Sequence, residues 1–175
     1  GFSVLLLEYP GYASTDGAPS ARSIEASALA AIDKVTARAD IDADRVVVYG
    51  RSIGSGAACA IARSRDIAAL ALESPFYSLQ NLVSEKGFPA FLLRDHFDNA
   101  AVVAKLDAPV FLYHGVLDQL IPFSHSERLR ALTDDATLIR AGCGHNDCPR
   151  PWPQLFEFLD NRGVLASGDA TVPTL

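Results

Sequence analysis

The sequence lacks several features that would each indicate a particular class of protein. Basic residues are outnumbered, with 15 Lys and Arg against 21 Asp and Glu and a formal net charge of −6. Nucleic acid is therefore not expected as a partner, because phosphate binding needs a basic face. No apolar run approaches the roughly 18 residues of a membrane span. The loop after the first apolar run has no G-x-G-x-x-G pattern, so we expect no cofactor.

Cysteine is scarce and methionine is absent, with three Cys and no Met. An odd cysteine count without framework spacing argues weakly for a reducing environment. Cys143, His145 and Cys148 supply only three ligands and no second pair, so no metal site is expected. Because the chain starts at Gly1 and enters an apolar run almost at once, we interpret it as part of a longer protein. An anchor for membrane association would lie in the preceding segment, so the compartment is left open between the cytoplasm and the cytoplasmic side of a membrane.

The residues that are present suit one globular domain. The chain has 175 residues, of which 49% are hydrophobic and 21% charged, enough to bury a core. Alternating strand and helix patterns predict an α/β fold with an open parallel sheet flanked by helices. We predict a catalytic domain over 1–162, a lid-like insertion at about 76–106 and a flexible tail over 163–175. The predicted strands cover residues 3–9, 46–49, 67–72, 109–113 and 136–140.

The second predicted strand runs into the segment Gly50-Arg51-Ser52-Ile53-Gly54, which fits G-x-S-x-G. An Ala-rich helical stretch follows, and this strand–turn–helix context is what a nucleophile elbow requires. We predict that the tight turn lifts the hydroxyl of Ser52 above the sheet. The backbone N–H of Ile53, at the start of the helix, would then face an oxyanion formed there.

A serine hydroxyl needs a base, and the ends of the later strands supply candidates. Asp118 follows the fourth predicted strand and His145 follows the fifth. We predict that His145 is the general base and that Asp118 orients it. Glu73 also ends a strand, so it is the rival acid or a residue that pins the lid. His114 is interpreted as a structural hydrogen-bonding residue, and His96 and His125 as surface or lid residues.

Apolar and aromatic side chains are concentrated in the lid-like insertion. We expect an apolar acyl pocket, with Tyr12, Phe76 and Phe91 as candidate substrate-binding residues. Packing over the sheet is the alternative role for most of these side chains.

Several motifs run in the order of a known family from about Val4 to Leu159. They are Glu8-Tyr9-Pro10-Gly11-Tyr12, Tyr49-Gly50-Arg51-Ser52-Ile53-Gly54-Ser55-Gly56, Glu73-Ser74-Pro75-Phe76, Phe97-Asp98-Asn99, Pro109-Val110, His114-Gly115, Asp118, Phe123-Ser124-His125 and Gly142-Cys143-Gly144-His145-Asn146-Asp147. In these motifs the chain resembles the serine-hydrolase branch of the α/β-hydrolase superfamily that includes the Bem-type and membrane-anchored protein depalmitoylase members. The resemblance implies esterase, thioesterase or related acyl-hydrolase activity on a small acyl ester or acyl-protein substrate.

The same resemblance implies an α/β-hydrolase fold that lacks its first strands. The loop that donates the second oxyanion N–H is missing with them, and losing one such donor typically costs ~10²–10³ in turnover. The strand expected between residues 3–9 and the elbow strand is also missing, which would leave backbone groups unpaired. We therefore expect this stretch alone to be poorly stable and largely inactive.

Two other functions keep the same scaffold. A serine peptidase would need a charged anchor for a peptide terminus, for which Glu8 and Glu73 are the candidates. A non-catalytic interaction protein would not need Ser52, Asp118 and His145 together, and their presence argues against it.

Overall fold

A computed structural model describes residues 3–13 and 15–165 and contains one four-stranded sheet. The strands are β1 (Val47–Arg51), β2 (Ala69–Glu73), β3 (Val110–Gly115) and β4 (Ala136–Ala141). The helices are α1 (Ala21–Thr36), α2 (Gly54–Ser64), α3 (Leu79–Glu85), α4 (Asn99–Val103), α5 (Ser124–Arg130) and α6 (Trp152–Asn161), with 3-10 turns at Ala43–Arg45 and Ala90–Leu92. None of these helices, within the part of the chain described, is long and apolar enough to cross a membrane.

The four strands are parallel and lie in sequence order, β1-β2-β3-β4. Arg51 is level with Glu73, which is level with Tyr113, and Gly115 is level with Ala141. The carboxyl ends of all four strands therefore meet at one edge. In open parallel sheets this edge is where ligands bind.

Both faces of the sheet are covered by helices, which confirms the predicted architecture. One face packs against α2, α4 and α5, and its cluster includes Leu70, Leu112 and Val103. The opposite face packs against α6, whose Leu155 and Phe158 lie among the side chains of β2 and β3. Strands covered on both faces read as continuous apolar runs, which is why β2 and β3 were recognisable in the sequence.

The strand predicted over residues 3–9 is wrong. The segment has no strand structure, and Val4 and Leu6 are 79% and 89% exposed. Only Leu7 and Tyr9 pack against a core cluster, the one that contains Phe76. An apolar run becomes a strand only when a neighbouring strand satisfies its backbone groups, and within the described residues no strand lies beside it.

The segment predicted as a lid-like insertion, at about 76–106, contains regular secondary structure. It contains α3 and α4, and its two ends are held together by an antiparallel bridge between Ser78 and Asp98. Ser78 and Asp98 also cap the two helices, accepting hydrogen bonds from backbone N–H groups. Whether the insertion acts as a lid stays a prediction.

The last described residues pack against the core. Val164, inside the predicted tail over 163–175, is 9% exposed and packs beside α6. Residues 166–175 of that predicted tail lie outside the described residues. At the start of α1, the side chain of Ser20 accepts from the backbone N–H of Ser23, and the side chain of Ser23 accepts from the backbone N–H of Ser20.

Candidate active site

The turn between β1 and α2 holds Ser52 in a conformation that a side chain rarely adopts. Ser52 has φ +52°, in the left-handed region, and such strain persists only where the surroundings impose it. Its backbone N–H donates to the carbonyl of Glu73 at 2.9 Å. A Cβ at Gly50 would lie 2.5 Å from the carbonyl oxygen of Gly54, so the turn requires glycine there. At Gly54 the constraint is milder, since the nearest atom to a Cβ there, the hydroxyl oxygen of Tyr9, would be 3.3 Å away.

Two buried polar residues support this turn from the helix side. Ser55 donates its hydroxyl to the carbonyl oxygen of Ser52 at 2.6 Å. Asn99, which is fully buried at the start of α4, donates its amide to the hydroxyl of Ser55 and to the carbonyl of Phe76, both at 2.9 Å. The insertion and the turn are therefore joined through one side chain. Asn99 belongs to one of the motifs named in the sequence analysis, but its contact with Ser55 was not predicted, because nothing local indicates a partner 44 positions away.

His145 lies between Ser52 and Asp118. Its Nε2 is 2.9 Å from the hydroxyl oxygen of Ser52, and its Nδ1 is 2.6 Å from a carboxylate oxygen of Asp118. A carboxylate only accepts hydrogen bonds, so the proton is assigned to Nδ1. Nε2 is then free to accept from the serine hydroxyl, as general-base chemistry needs. The structure thus brings together the three residues predicted as nucleophile, base and orienting acid.

Asp118 is held in place by its own loop. Its other carboxylate oxygen accepts from the backbone N–H groups of Leu120 and Ile121, each at 2.9 Å. Burial opposes ionisation of the carboxyl, but the bonds from Ile121 and His145 outweigh it and hold the pKa of Asp118 below its ordinary value. The carboxylate therefore stays charged opposite His145.

Glu73, the rival acid, lies at the end of β2 and is bonded to other residues. Its carboxylate accepts from Arg51 at 3.0 Å, from Arg150 at 2.5 Å and from the hydroxyl of Tyr49. None of these partners belongs to the 76–106 insertion, so these contacts do not support the alternative role, in which Glu73 pins the lid.

Two other buried histidines lie near the site. The ring of His114 is 2.7 Å from the hydroxyl of Ser126, 2.9 Å from the carbonyl of Ile121 and 3.2 Å from the carboxylate of Asp118. Burial lowers the pKa of His114 below its ordinary value. His125 is also fully buried rather than at the surface; it accepts from the backbone N–H of Tyr77 and bonds Glu85, joining α5 to the insertion.

The loop that carries His145 is closed by a disulfide between Cys143 and Cys148. The weak argument for a reducing environment rested on an odd cysteine count without framework spacing, and that argument did not anticipate this bridge. Cys59 is the free cysteine, and it is buried. The sulfurs are therefore bonded to each other, and no group of three or more potential metal ligands occurs among residues 3–13 and 15–165. The pairing needs the loop to fold back over five positions, which the spacing alone does not reveal.

The three candidate substrate-binding residues occupy different environments. Phe76 is 1% exposed and packs with Phe97 in the core. Phe91 is 84% exposed on the insertion, and Tyr12 is 55% exposed with its ring against the edge of Tyr9. Tyr9 itself, which was not among the candidates, lies beside the turn, since its hydroxyl would meet a Cβ at Gly54.

Ile53 lies immediately before the first residue of α2. Its backbone N–H is among those that no carbonyl within the helix can accept, because the first N–H groups of a helix have no partner there. The group follows Ser52 directly in the chain, and its role as an oxyanion donor stays a prediction.

Comparison with known proteins gave relatives in bacteria and animals, although no family model matches the sequence. An uncharacterized protein of Mycobacterium tuberculosis is 37% identical over 171 residues, covering 94% of this chain and 58% of the relative. Alpha/beta hydrolase domain-containing protein aho-3 of Caenorhabditis elegans is 31% identical, covering 83% and 44%. Alpha/beta hydrolase domain-containing protein 17B of Xenopus laevis is 31% identical, covering 83% of this chain and 51% of the relative. The chain spans about half the length of the curated relatives it matches.

Solved structures share the fold. An acetyl xylan esterase from Paenibacillus sp. R4 superimposes with a TM-score of 0.66 at 19% identity, covering 80% of this chain and 52% of that one. A puromycin hydrolase gives 0.64 at 19% identity, covering 86% and 26%. Pyrococcus horikoshii acylaminoacyl peptidase gives 0.64 at 13% identity, covering 80% and 28%.

Proposed function

We propose that this chain, which has the fold and the relatives of the α/β-hydrolase superfamily, carries the catalytic centre of a serine hydrolase that cleaves carboxylic ester or thioester bonds. One observation carries the proposal. The imidazole of His145 lies within hydrogen-bond distance of both the Ser52 hydroxyl and the Asp118 carboxylate. Nucleophile, base and orienting acid linked in this way form the triad arrangement of acyl-transfer enzymes.

The first half-reaction forms an acyl-enzyme. Nε2 of His145 takes the hydroxyl proton as Oγ of Ser52 bonds to the carbonyl carbon of the substrate. The N–H of Ile53 donates to the oxyanion that develops on the carbonyl oxygen. The bond to the leaving alcohol or thiol then breaks, and the leaving group takes the proton from His145.

The second half-reaction releases the acid. His145 takes a proton from water, the hydroxide bonds to the acyl carbon, and the ester bond to Ser52 breaks with return of the proton to Oγ. Asp118 remains ionised and stabilises the imidazolium that forms twice in the cycle. Its lowered pKa suits this role, because it keeps the carboxylate charged at neutral pH.

An apolar acyl group is the substrate class that the surroundings favour. The loop around Asp118 exposes Leu117 and Leu120, which are 64% and 55% exposed. Lys86, at the end of α3, donates to the carbonyl of Gln119 at 2.7 Å, bringing the insertion against this loop. The same insertion exposes the ring of Phe91. Acyl thioesters on proteins, which the resemblance to depalmitoylases implies, are one such substrate.

The peptidase alternative is less favoured by the contacts of Glu73. An anchor for a peptide N-terminus needs an unpaired carboxylate, whereas Glu73 is 1% exposed and already bonded to Arg51 and Arg150. Glu8 is exposed and remains the other candidate anchor. Faster cleavage of aminoacyl amides than of esters would favour the peptidase.

The test is hydrolysis of p-nitrophenyl esters from short to long acyl chains. It is run on the longest natural polypeptide that contains these 175 residues and on the chain alone. We expect turnover that Ser52→Ala and His145→Ala each abolish, and the preferred acyl length then describes the acyl site. His96→Ala is the matched control, because His96 is exposed on the insertion and is assigned no part in the reaction.

Each outcome has a distinct meaning. Loss of activity in both triad variants with retention in His96→Ala supports the proposal. A folded protein that neither cleaves these esters nor reacts with a fluorophosphonate contradicts it and favours a non-catalytic interaction protein on the same scaffold.

A further inference from the structure

A cluster of charged residues lies directly beside the proposed triad. At its centre is Glu73, a carboxylate only 1% exposed at the carboxyl end of β2. Arg51 and Arg150 donate to one of its oxygens, and Tyr49 donates to the other. A carboxylate that accepts charge-assisted hydrogen bonds from two arginines and a further bond from a tyrosine is fixed in position.

The guanidinium of Arg51 bonds Glu73 on one side and the loop that carries His145 on the other. Its Nε donates to Glu73 at 3.0 Å, while its Nη2 donates to the backbone carbonyl of His145 at 2.5 Å and to the side-chain oxygen of Asn146 at 3.0 Å. The planar guanidinium holds these donors in fixed directions. Because Glu73 fixes the guanidinium of Arg51, the guanidinium in turn fixes the backbone carbonyl of His145.

The sequence position of Arg51 makes this contact relevant to catalysis. Arg51 immediately precedes Ser52, and it is level with Glu73 in the parallel pairing of β1 and β2. The end of β1 therefore positions Ser52 and also bonds the loop that carries His145. Another hold on that loop is at Cys143, whose carbonyl accepts from the N–H of Leu117 at 3.0 Å.

We propose that Glu73 and Arg51 form a clamp on the backbone of His145 that keeps Nε2 in line with the Ser52 hydroxyl. Arg51 is a positioning residue in this account, since it touches neither the hydroxyl nor the imidazole. The inference rests on the proposed serine-hydrolase function and adds to it the residues that hold the base in register. A misplacement of about 1 Å in a reacting group can cost ~10²-fold in rate.

Arg150 provides a matched control. It is also an arginine bonded to the same oxygen of Glu73, but the contact to the His145 carbonyl is made by Arg51. Arg51→Met and Arg150→Met each remove one guanidinium from the same carboxylate. Of the two, Arg51→Met alone removes the hydrogen bond to the backbone carbonyl of His145.

The experiment measures kcat and KM per active site on the longest natural polypeptide containing this chain, with fluorophosphonate titration counting competent sites. We expect Arg51→Met to lower kcat and the rate of fluorophosphonate labelling by about 10- to 100-fold, with KM within about threefold of wild type. Arg150→Met should stay within about threefold in both. Glu73→Gln, which leaves the elbow sequence intact, should reproduce part of the loss.

The outcomes separate the clamp from the function on which it rests. If wild type neither labels nor hydrolyses esters, the proposed function fails and the clamp fails with it. If wild type is active and Arg51→Met lowers only the number of titratable sites, with kcat per site unchanged, Arg51 is merely structural and the clamp alone is overturned. An equal loss in Arg51→Met and Arg150→Met overturns it as well.

A second pair of variants decides the matter if Arg51→Met is not recovered folded. Lysine keeps the positive charge but cannot donate to Glu73 and His145 in the two fixed directions of a guanidinium. We expect Arg51→Lys to lower kcat per site at least fivefold relative to Arg150→Lys. Equal values for the two lysine variants would refute the clamp.

Discussion

Replacing Asp118 by Asn tests how the orienting acid sets the proton on His145. One carboxylate oxygen of Asp118 accepts from two backbone N–H groups, those of Leu120 and Ile121. An asparagine would place its carbonyl oxygen against these two N–H groups, because an NH₂ group in that position would face two other donors. The NH₂ group would then occupy the other position and face Nδ1 of His145.

An amide donor at this position forces Nδ1 to accept, so the proton of the neutral ring moves to Nε2. A protonated Nε2 cannot take the proton of Ser52. In Ser-His-Asp enzymes this wrong-tautomer substitution lowers turnover by about 10⁴-fold, which is roughly 5.5 kcal/mol at about 1.36 kcal/mol per factor of ten. The backbone bonds persist, so we expect the free energy of unfolding to change by less than about 2 kcal/mol.

The assay combines p-nitrophenyl ester turnover with urea unfolding of the same preparations. Asp98→Asn is the matched control, because Asp98 accepts from the backbone N–H of Ala101 at the start of α4, and asparagine caps helices about as well. It should keep wild-type turnover. If Asp118→Asn keeps more than a tenth of wild-type turnover, the reasoning about the tautomer is refuted.

Two further predictions concern stability. A Cβ at Gly56 would lie 2.5 Å from the ring of Phe97, so Gly56→Ala should lower the free energy of unfolding by about 1–3 kcal/mol. Gly142→Ala should leave it unchanged, because nothing lies within 4 Å of a Cβ built at that position. Equal free energies of unfolding for the two variants would refute the packing argument. Burial lowers the pKa of His114, so the folded state binds fewer protons, and stability present above about pH 6.5 is lost as pH falls through the lowered pKa. Urea unfolding from pH 7 to 5 should therefore show a steeper loss in wild type than in His114→Gln, and parallel curves would contradict it.

The parts of the fold that follow from local pattern were predictable from the sequence. The apolar runs of β2 and β3 could be read because both faces of these strands are covered, and the glycine at Gly50 marked a turn with no room for a side chain. Positions just after strand ends predicted that Asp118 and His145 would meet Ser52, because parallel strands bring their carboxyl ends to one edge.

The parts that depend on distant partners were not predictable. Residues 3–9 have the composition of a strand, but a strand also needs a neighbour to bond with. Arg51 and the carbonyl of His145 are 94 positions apart, and neither residue type indicates that contact. Phe76 resembles a pocket residue in sequence, yet only the packing of the insertion shows that its ring lies in the core.

Peptide mapping of a fluorophosphonate adduct tests the central claim most directly, since that claim is a Ser52 hydroxyl activated by His145. The account predicts a single adduct on the peptide that contains Ser52. Labelling should be at least ~10³-fold slower in His145→Ala, since removing the histidine of a Ser-His-Asp triad can cost roughly 10⁶-fold in turnover. An adduct on another residue, or labelling that is equally fast without His145, would contradict the account.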